Sequence, residues 1–249
     1  MRQKPLKKMK PLQHAQISQK KHGGKWQDYI EVHNFLDSSK AACAHFKHRF
    51  FLHHVEGIEL GVKLFGQSVA NSDEKPIETR QLLTEHLIED VGTLVTVEDW
   101  ARDLLPNEND SFYKYLAKKR DQIENDAIAG EKELFDVFNL SEKDRAAVKD
   151  FLLFALKNSN HPAALLVSHN SFAVFLAEKI LGIAFVKNNP SHKQLVSIRE
   201  VFERLIFLRL KSIYSPAEII ARTAFADWMR GAKANHSKRE KKRSADDRS

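Results

Sequence analysis

The run His45-Phe-Lys-His48-Arg-Phe50-Phe-Leu-His53-His54-Val-Glu-Gly57-Ile-Glu-Leu60-Gly61-Val-Lys63-Leu-Phe65-Gly66 decides the fold. Its apolar spacing predicts a helical segment over about 45–65, and Gly66 stands where a helix-ending glycine belongs. The next residues, Gln67-Ser-Val-Ala-Asn71-Ser-Asp73-Glu-Lys-Pro-Ile77-Glu78, hold turn formers at their centre and β-branched residues on either side. That pattern predicts a small hairpin. At about 100° per residue, Phe50, His54, Gly57, Gly61, Leu64 and Phe65 share one face of the helix. Two glycines on that face let another element approach closely and place His54 against it. On the same wheel His45 and His48 lie close together, and His53 points elsewhere.

Working outward, helical periodicity begins near Tyr29 with Ile30, Val32, Phe35 and Leu36, and resumes over 79–90. Thr96 caps a short helix whose first turn carries Glu98 and Asp99 and whose apolar face carries Trp100. Beyond the turn-rich Leu105-Pro-Asn-Glu-Asn-Asp110, single helices are expected over about 111–138, 141–157 and 162–181, the last stopping at Gly182. A second hairpin over 183–196 and helices over 198–211 and 215–231 complete the pattern. The halves echo each other. Displaced by 116 positions, Phe35, Leu36, His45, His53, Leu60, Lys63 and Gly66 meet Phe151, Leu152, His161, His169, Leu176, Lys179 and Gly182. Those are seven identities in the 32 positions from 35 to 66, where ordinary residue frequencies give about two. The expected fold is mainly α: two similar helical units, each with a small β-hairpin between helices. The expected organisation is a basic N-terminal arm (1–24), a His-rich helical unit (25–106), a second helical unit that is a degenerate repeat of the first (111–231) and a basic disordered tail (232–249).

Charge follows the same divisions. Residues 1–25 carry eight Lys/Arg and no acid, and residues 230–249 carry eight against three acids. The net charge of the 249-residue chain is +7, so the body between these ends is acidic. Basic ends of this kind hold phosphate backbone by counterion release. They make Lys7, Lys8, Lys10, Lys20, Lys21, Arg239, Lys241, Lys242 and Arg243 the candidate nucleic-acid contacts. No aromatic residue is interleaved among the tail bases to stack on a nucleobase. Cys43 is the only cysteine, which excludes an internal disulfide and a Cys-rich zinc site and fits a reducing compartment. Neither an apolar signal core near the N-terminus nor an 18-residue apolar run is present, so a cytoplasmic protein without a membrane span is expected.

The segment from His14 to Pro106 resembles an uncharacterised domain family of small, His-rich bacterial and phage proteins. The likeness rests on His14-Ala-Gln-Ile-Ser-Gln-Lys-Lys-His22-Gly-Gly-Lys25, on Asp28-Tyr29 with His33 and Asp37-Ser-Ser-Lys40, and on His48-Arg49. It continues through His53-His54, Gly57-Ile58, Asn71-Ser72-Asp73, His86-Leu-Ile-Glu89-Asp90 and Thr96-Val-Glu-Asp-Trp100. His169-Asn170-Ser171 is similar to the His53-His54 element. The resemblance implies a boundary near 106, a bacterial or phage-infected host cell, and no activity.

Eight of the twelve histidines fall in the first 86 residues. Imidazole is the commonest protein metal ligand and titrates near neutral pH. Spacing of i, i+4 puts His33 with Asp37, and His86 with Asp90, on one helical face. Imidazole with carboxylate suits zinc, manganese or iron. The second half has Leu153, Ala164 and Asn170 opposite Asp37, His48 and His54, and Leu205 and Arg209 opposite His86 and Asp90. His33, Asp37, His48, His54, His86 and Asp90 are therefore the candidate ligands of a divalent metal ion. The first reading is a metal-dependent hydrolase of the phosphoester type. The alternatives are a nucleic-acid-binding or nucleoprotein-associated protein using its basic ends, and an interaction protein whose histidines are structural.

Overall fold

Pro11 supplies the fixed φ that suits a first helical turn, and Lys20, Lys21 and His22 complement the negative end of the dipole at the last. The resulting helix, α1 (Pro11–His22), packs along α2 (Gln27–Asp37). Residues 11–22, part of the basic arm in the sequence reading, are thus built into the first unit. The computed structural model describes residues 9–187 and 194–223. Of the candidate nucleic-acid contacts, Lys7, Lys8, Arg239, Lys241, Lys242 and Arg243 lie outside the described residues.

The deciding stretch forms two elements, not one helix. A 3₁₀ turn covers Phe46–Phe51, and α3 begins only at Val55 and runs to Phe65. Two imidazoles cause the interruption. His45 Nδ1 accepts from Lys47 N at 3.2 Å, and His54, extended at φ −155° and ψ 167°, accepts from Gly57 N at 3.1 Å. Each caps a new start with its ring, the service usually given by Ser, Thr, Asn or Asp, and this breaks the wheel expected over 45–65. The close approach does occur. A Cβ at Gly57 would lie 2.0 Å from the Leu52 carbonyl oxygen, and one at Gly61 would lie 2.4 Å from Leu83 Cδ1. Gly61 lets α3 settle onto α4 (Thr79–Val91) and α2, and Gly57 lets the chain at Leu52 fold back against the start of α3.

Between α3 and α4, β1 (Ser68–Ala70) pairs antiparallel with β2 (Pro76–Glu78), Val69 opposite Ile77. The hairpin turn locks the α1–α2 junction. Asp73 accepts from Gly24 N at 2.7 Å, Asp28 accepts from Ser72 N at 2.8 Å, and Asn71 donates to the Tyr29 hydroxyl at 3.1 Å. Helix α5 (Val97–Leu104) starts with Thr96 as its cap, as expected, and Asp99 completes a capping box with it.

The second unit holds α6 (Ser111–Glu124), α7 (Glu131–Phe138), α8 (Glu142–Leu153), α9 (Leu165–Ser168), α10 (Ser171–Leu181) and α11 (Ile198–Leu210). Two spans expected as single helices are divided. Gly130, in the left-handed region at φ 84°, separates α6 from α7. Over 162–181, a 3₁₀ turn and α9 end at His169, and Asn170 caps α10 by accepting from Phe172 N and Ala173 N. Strands β3 (Ala184–Val186) and β4 (Leu195–Ser197) form the second hairpin. The fold is mainly helical with two small antiparallel hairpins, as expected. One hydrophobic core runs through both units, and α3 meets α10 across it. No single helix among the described residues is long and apolar enough to cross a membrane.

Candidate metal centre

Helix periodicity places polar side chains on faces that are otherwise apolar. Helix α4 buries Leu82, Leu83, His86, Leu87 and Asp90; α2 buries Tyr29, Val32, His33, Leu36 and Asp37; α1 buries His14, Ala15 and Ser18. The interruption after the 3₁₀ turn brings in His48, Arg49 and His53. Trp100 Nε1 donates to the His53 carbonyl at 2.6 Å, so α5 fixes the backbone of that residue.

These side chains converge. Asp37, His53, His86 and Asp90 each offer a ligand atom, all within 4.8 Å of one another, and all four residues are buried. His53 Nε2 stands 3.4 Å from both Asp37 Oδ1 and Asp90 Oδ2. His14 Nε2 is 3.3 Å from Asp90 Oδ1, and its ring stacks on that of His86 at 3.9 Å between centroids. Around them lie groups that orient the ligands. Arg49 donates to Asp90 Oδ2 at 2.8 Å, and Lys40 sits 2.5 Å from Asp37 Oδ2. His48 Nδ1 meets Ser39 Oγ at 3.0 Å and leaves Nε2 free to face inward. His86 Nδ1 faces His33 Nδ1 at 3.1 Å, and His33 Nε2 reaches Ser18 Oγ at 2.8 Å. For His86 Nε2 to coordinate, Nδ1–H must donate to His33, whose Nε2–H then donates to Ser18. This is the oriented, N–H-donating histidine that a metal site requires.

Eleven buried side-chain nitrogens and oxygens among the described residues lack a well-formed hydrogen bond, and eight belong to His14, Asp37, His48, His53, His86 and Asp90. Such atoms cost about 1–3 kcal/mol each when left unsatisfied. Eight of them lie in this one cluster, whose donor set could hold a metal ion.

The electrostatics agree. Burial opposes ionisation of Asp90, but the close approach of the His14 and His53 rings and the hydrogen bonds from Arg49 prevail and hold its carboxyl well below the usual range. Asp37 is held low against burial by His53 and Lys40. Burial, then the nearby His14 ring, pushes His33 down to about 4; burial and His53 push His48 to about 3. His86 is driven well below its ordinary value by burial, with His53, His14 and His33 adding to it. Burial opposes protonation of His14, yet its hydrogen bonds to Asp90 and Glu89 raise it. Ionised carboxylates beside neutral imidazoles are the protonation states that bind a cation.

Of the ligands expected from sequence, Asp37, His86 and Asp90 come together. His33 and His48 stand directly behind His86 and His53, and His54 is turned away to Glu56 and Gly57. His53 takes the place expected for His54, because the chain breaks where the wheel assumed continuity. His14 lay in the segment read as an arm. Its signal was polar, the buried stripe of His14 and Ser18 one turn apart, which hydropathy does not register. Of the expected nucleic-acid contacts within the structure, Lys10 and Lys20 are exposed and Lys21 pairs with Glu89 at 3.0 Å.

The fold and site define a mainly helical protein whose first unit encloses a buried histidine–aspartate cluster. Residues 9–109 match a domain of unknown function, DUF6915, which covers every residue of that cluster. No curated protein and no solved structure matches the chain.

Proposed function

We propose that the protein is a metal-dependent hydrolase of phosphoesters. The supporting observation is the clustering of eight buried atoms that lack well-formed hydrogen bonds, six of them on a two-carboxylate, two-imidazole donor set. That set suits manganese, iron or zinc. A divalent cation there lowers the pKa of a bound water and polarises a phosphoryl oxygen. The protein's own groups do the rest: Arg49 and Lys40 fix the carboxylates, and the Ser18–His33–His86 chain fixes the imidazole. In the net reaction the water oxygen bonds to phosphorus, the ester P–O bond breaks, and a proton passes to the leaving alcohol. Structural histidines alone leave the unsatisfied atoms without a reason, and the nucleic-acid reading rests on sequence charge alone. The reading places the protein in the cytoplasm, in keeping with its single buried free thiol, Cys43. The test is phosphate release from aryl phosphates by chelated protein before and after Mn(II), Fe(II) or Zn(II). Release restored by metal and absent in His86→Ala is expected; no release with any of the three overturns the reading.

We also infer that the second unit is a duplicate whose cation has been replaced by a guanidinium. His45 and His161 cap alike, accepting from the amide two residues on at 3.2 Å in both units. His54 and Asn170 both cap the helix before a hairpin. His53 stands beside Asp90 in the first unit; in the second, His169 Nε2 lies 3.1 Å from buried Arg209, which pairs with Glu131 through two nitrogens.

A further inference from the structure

A cleft of about 640 Å³ opens next to the centre, between the end of α2 with its following turn and the face of α10. Asn34, Asp37 and Lys40 line one wall, and Phe172, Phe175 and Lys179 line the other. Asp37 also belongs to the four-residue group, so cleft and centre share a residue, whose carboxylate oxygens are themselves buried. The cleft's volume of about 640 Å³ falls within the roughly 300–1,000 Å³ usual for small-molecule sites.

The walls differ in chemistry. The ammonium group of Lys179 favours an anion, with Lys40, already paired with Asp37, at the other wall. Lys40 lies against Asp37 and is partly exposed. Lys179 is exposed, its Nζ 4.9 Å from the Phe175 ring centre, while the adjacent Glu178 is engaged by Arg199. The α10 amides nearest the cleft are already bonded: Phe172 N and Ala173 N to Asn170, and Ser171 N to the Tyr214 carbonyl. Negative charge is therefore met by the lysines and not by the helix end. Phe175 is 39% exposed beside the nearly buried Phe172. An exposed aromatic ring on a cleft wall calls for a flat apolar partner.

We propose that this cleft is the substrate site and takes phosphate monoesters of aromatic alcohols, a specificity that rests on the hydrolase reading above. The phosphate lies toward Lys40, Lys179 and the Asp37 end; the aromatic group lies against Phe172 and Phe175. The second unit thereby contributes half of the specificity surface, a reason for the two units to share one core.

The experiment is binding of phenyl phosphate to the full chain by titration calorimetry, with phenol, inorganic phosphate and glycerol phosphate as comparisons. It is run on the unaltered protein, Lys179→Ala and Phe175→Ala, with metal content measured on each. Both side chains are exposed, so the fold is retained. Phenyl phosphate is expected to bind tightest, and each substitution to weaken it by about tenfold or more with metal content unchanged. Equal binding by all three proteins, or inorganic phosphate binding as tightly as phenyl phosphate, overturns the proposal. If the protein holds metal and hydrolyses phenyl phosphate with the same kcat/KM in all three forms, the cleft assignment fails and the hydrolase reading stands. If it holds no metal, the hydrolase reading fails, and the binding comparison still decides the cleft.

Discussion

Stripping the cation from the centre should cost the protein a large part of its thermal stability. The carboxylates of Asp37 and Asp90 are 3% and 0% exposed, and neither turns to solvent when a cation leaves. Four ligand atoms deprived of partners at about 1–3 kcal/mol each set a ceiling of roughly 4–12 kcal/mol. Free metal at a thousand times its Kd supplies about 4 kcal/mol by mass action, the lower end of that range. For a domain of this size each kcal/mol moves Tm by roughly 2–4 °C, so saturating metal should raise Tm by about 8–16 °C over chelated protein. Differential scanning calorimetry with EDTA, and then with excess Mn(II) or Zn(II), reads this directly. His86→Ala should melt at one temperature under both conditions. Coincident melting of chelated and metal-treated unaltered protein, within a degree, would refute the reasoning.

Three further outcomes follow from the geometry. Gly61→Ala drives a methyl to 2.4 Å from Leu83 Cδ1, an overpacking worth about 1–3 kcal/mol; it should lower Tm and, by shifting α4 with His86 and Asp90, weaken metal affinity in the same preparation. Glu98 is pulled down to about 2, against burial, by Ser159 and the His161 amide, which join α5 to the second unit, and by Arg102 one turn along α5. Its folded-state pKa is depressed, so its stabilisation is complete above its ordinary 4.5 and is lost as pH falls toward about 2; Glu98→Gln should flatten the acid limb of the stability–pH curve, and an unchanged limb would count against the link. Arg209→Met deprives Glu131 and the Nε2 of His169 of their partner, a loss of about 3–5 kcal/mol for a broken buried pair; Tm should fall while bound metal per chain stays constant, and a gain or loss of metal would contradict the assignment of Arg209 as a built-in cation.

Much of the first unit is legible because its signals are local. The Thr96 cap, Gly66 and the Asn71–Asp73 turn act within a few residues, and each appears as the sequence implies. The near-contact at Gly61 was likewise readable, since a glycine on an apolar face has few other uses. What hid the site was the interruption at 52–54. Apolar spacing carries across it, but the imidazoles of His45 and His54 cap new starts, and histidine has no reputation as a cap. The sequence points to His54 and passes over His53 because the second half keeps a histidine, His169, at the place of His53, and the wheel sets His53 apart from the other histidines. The α6–α7 break over 125–130 escaped for a related reason, because the flanking periodicity outweighs two left-handed residues, Asp126 and Gly130. His14 was obscured by composition: eight basic residues among the first 25 describe an arm, and only long-range partners on α4 show that a buried face runs through it.

The most direct test of the metal centre is elemental analysis of the protein purified without added metal or chelator, compared across His53→Asn and His54→Asn. Asparagine already caps the equivalent start of α10, so the second substitution preserves the α3 cap. The account predicts stoichiometric manganese, iron or zinc in the unaltered protein and in His54→Asn, and its loss in His53→Asn. A folded, metal-free protein that takes up none of the three, or metal lost with His54 and kept without His53, would contradict it.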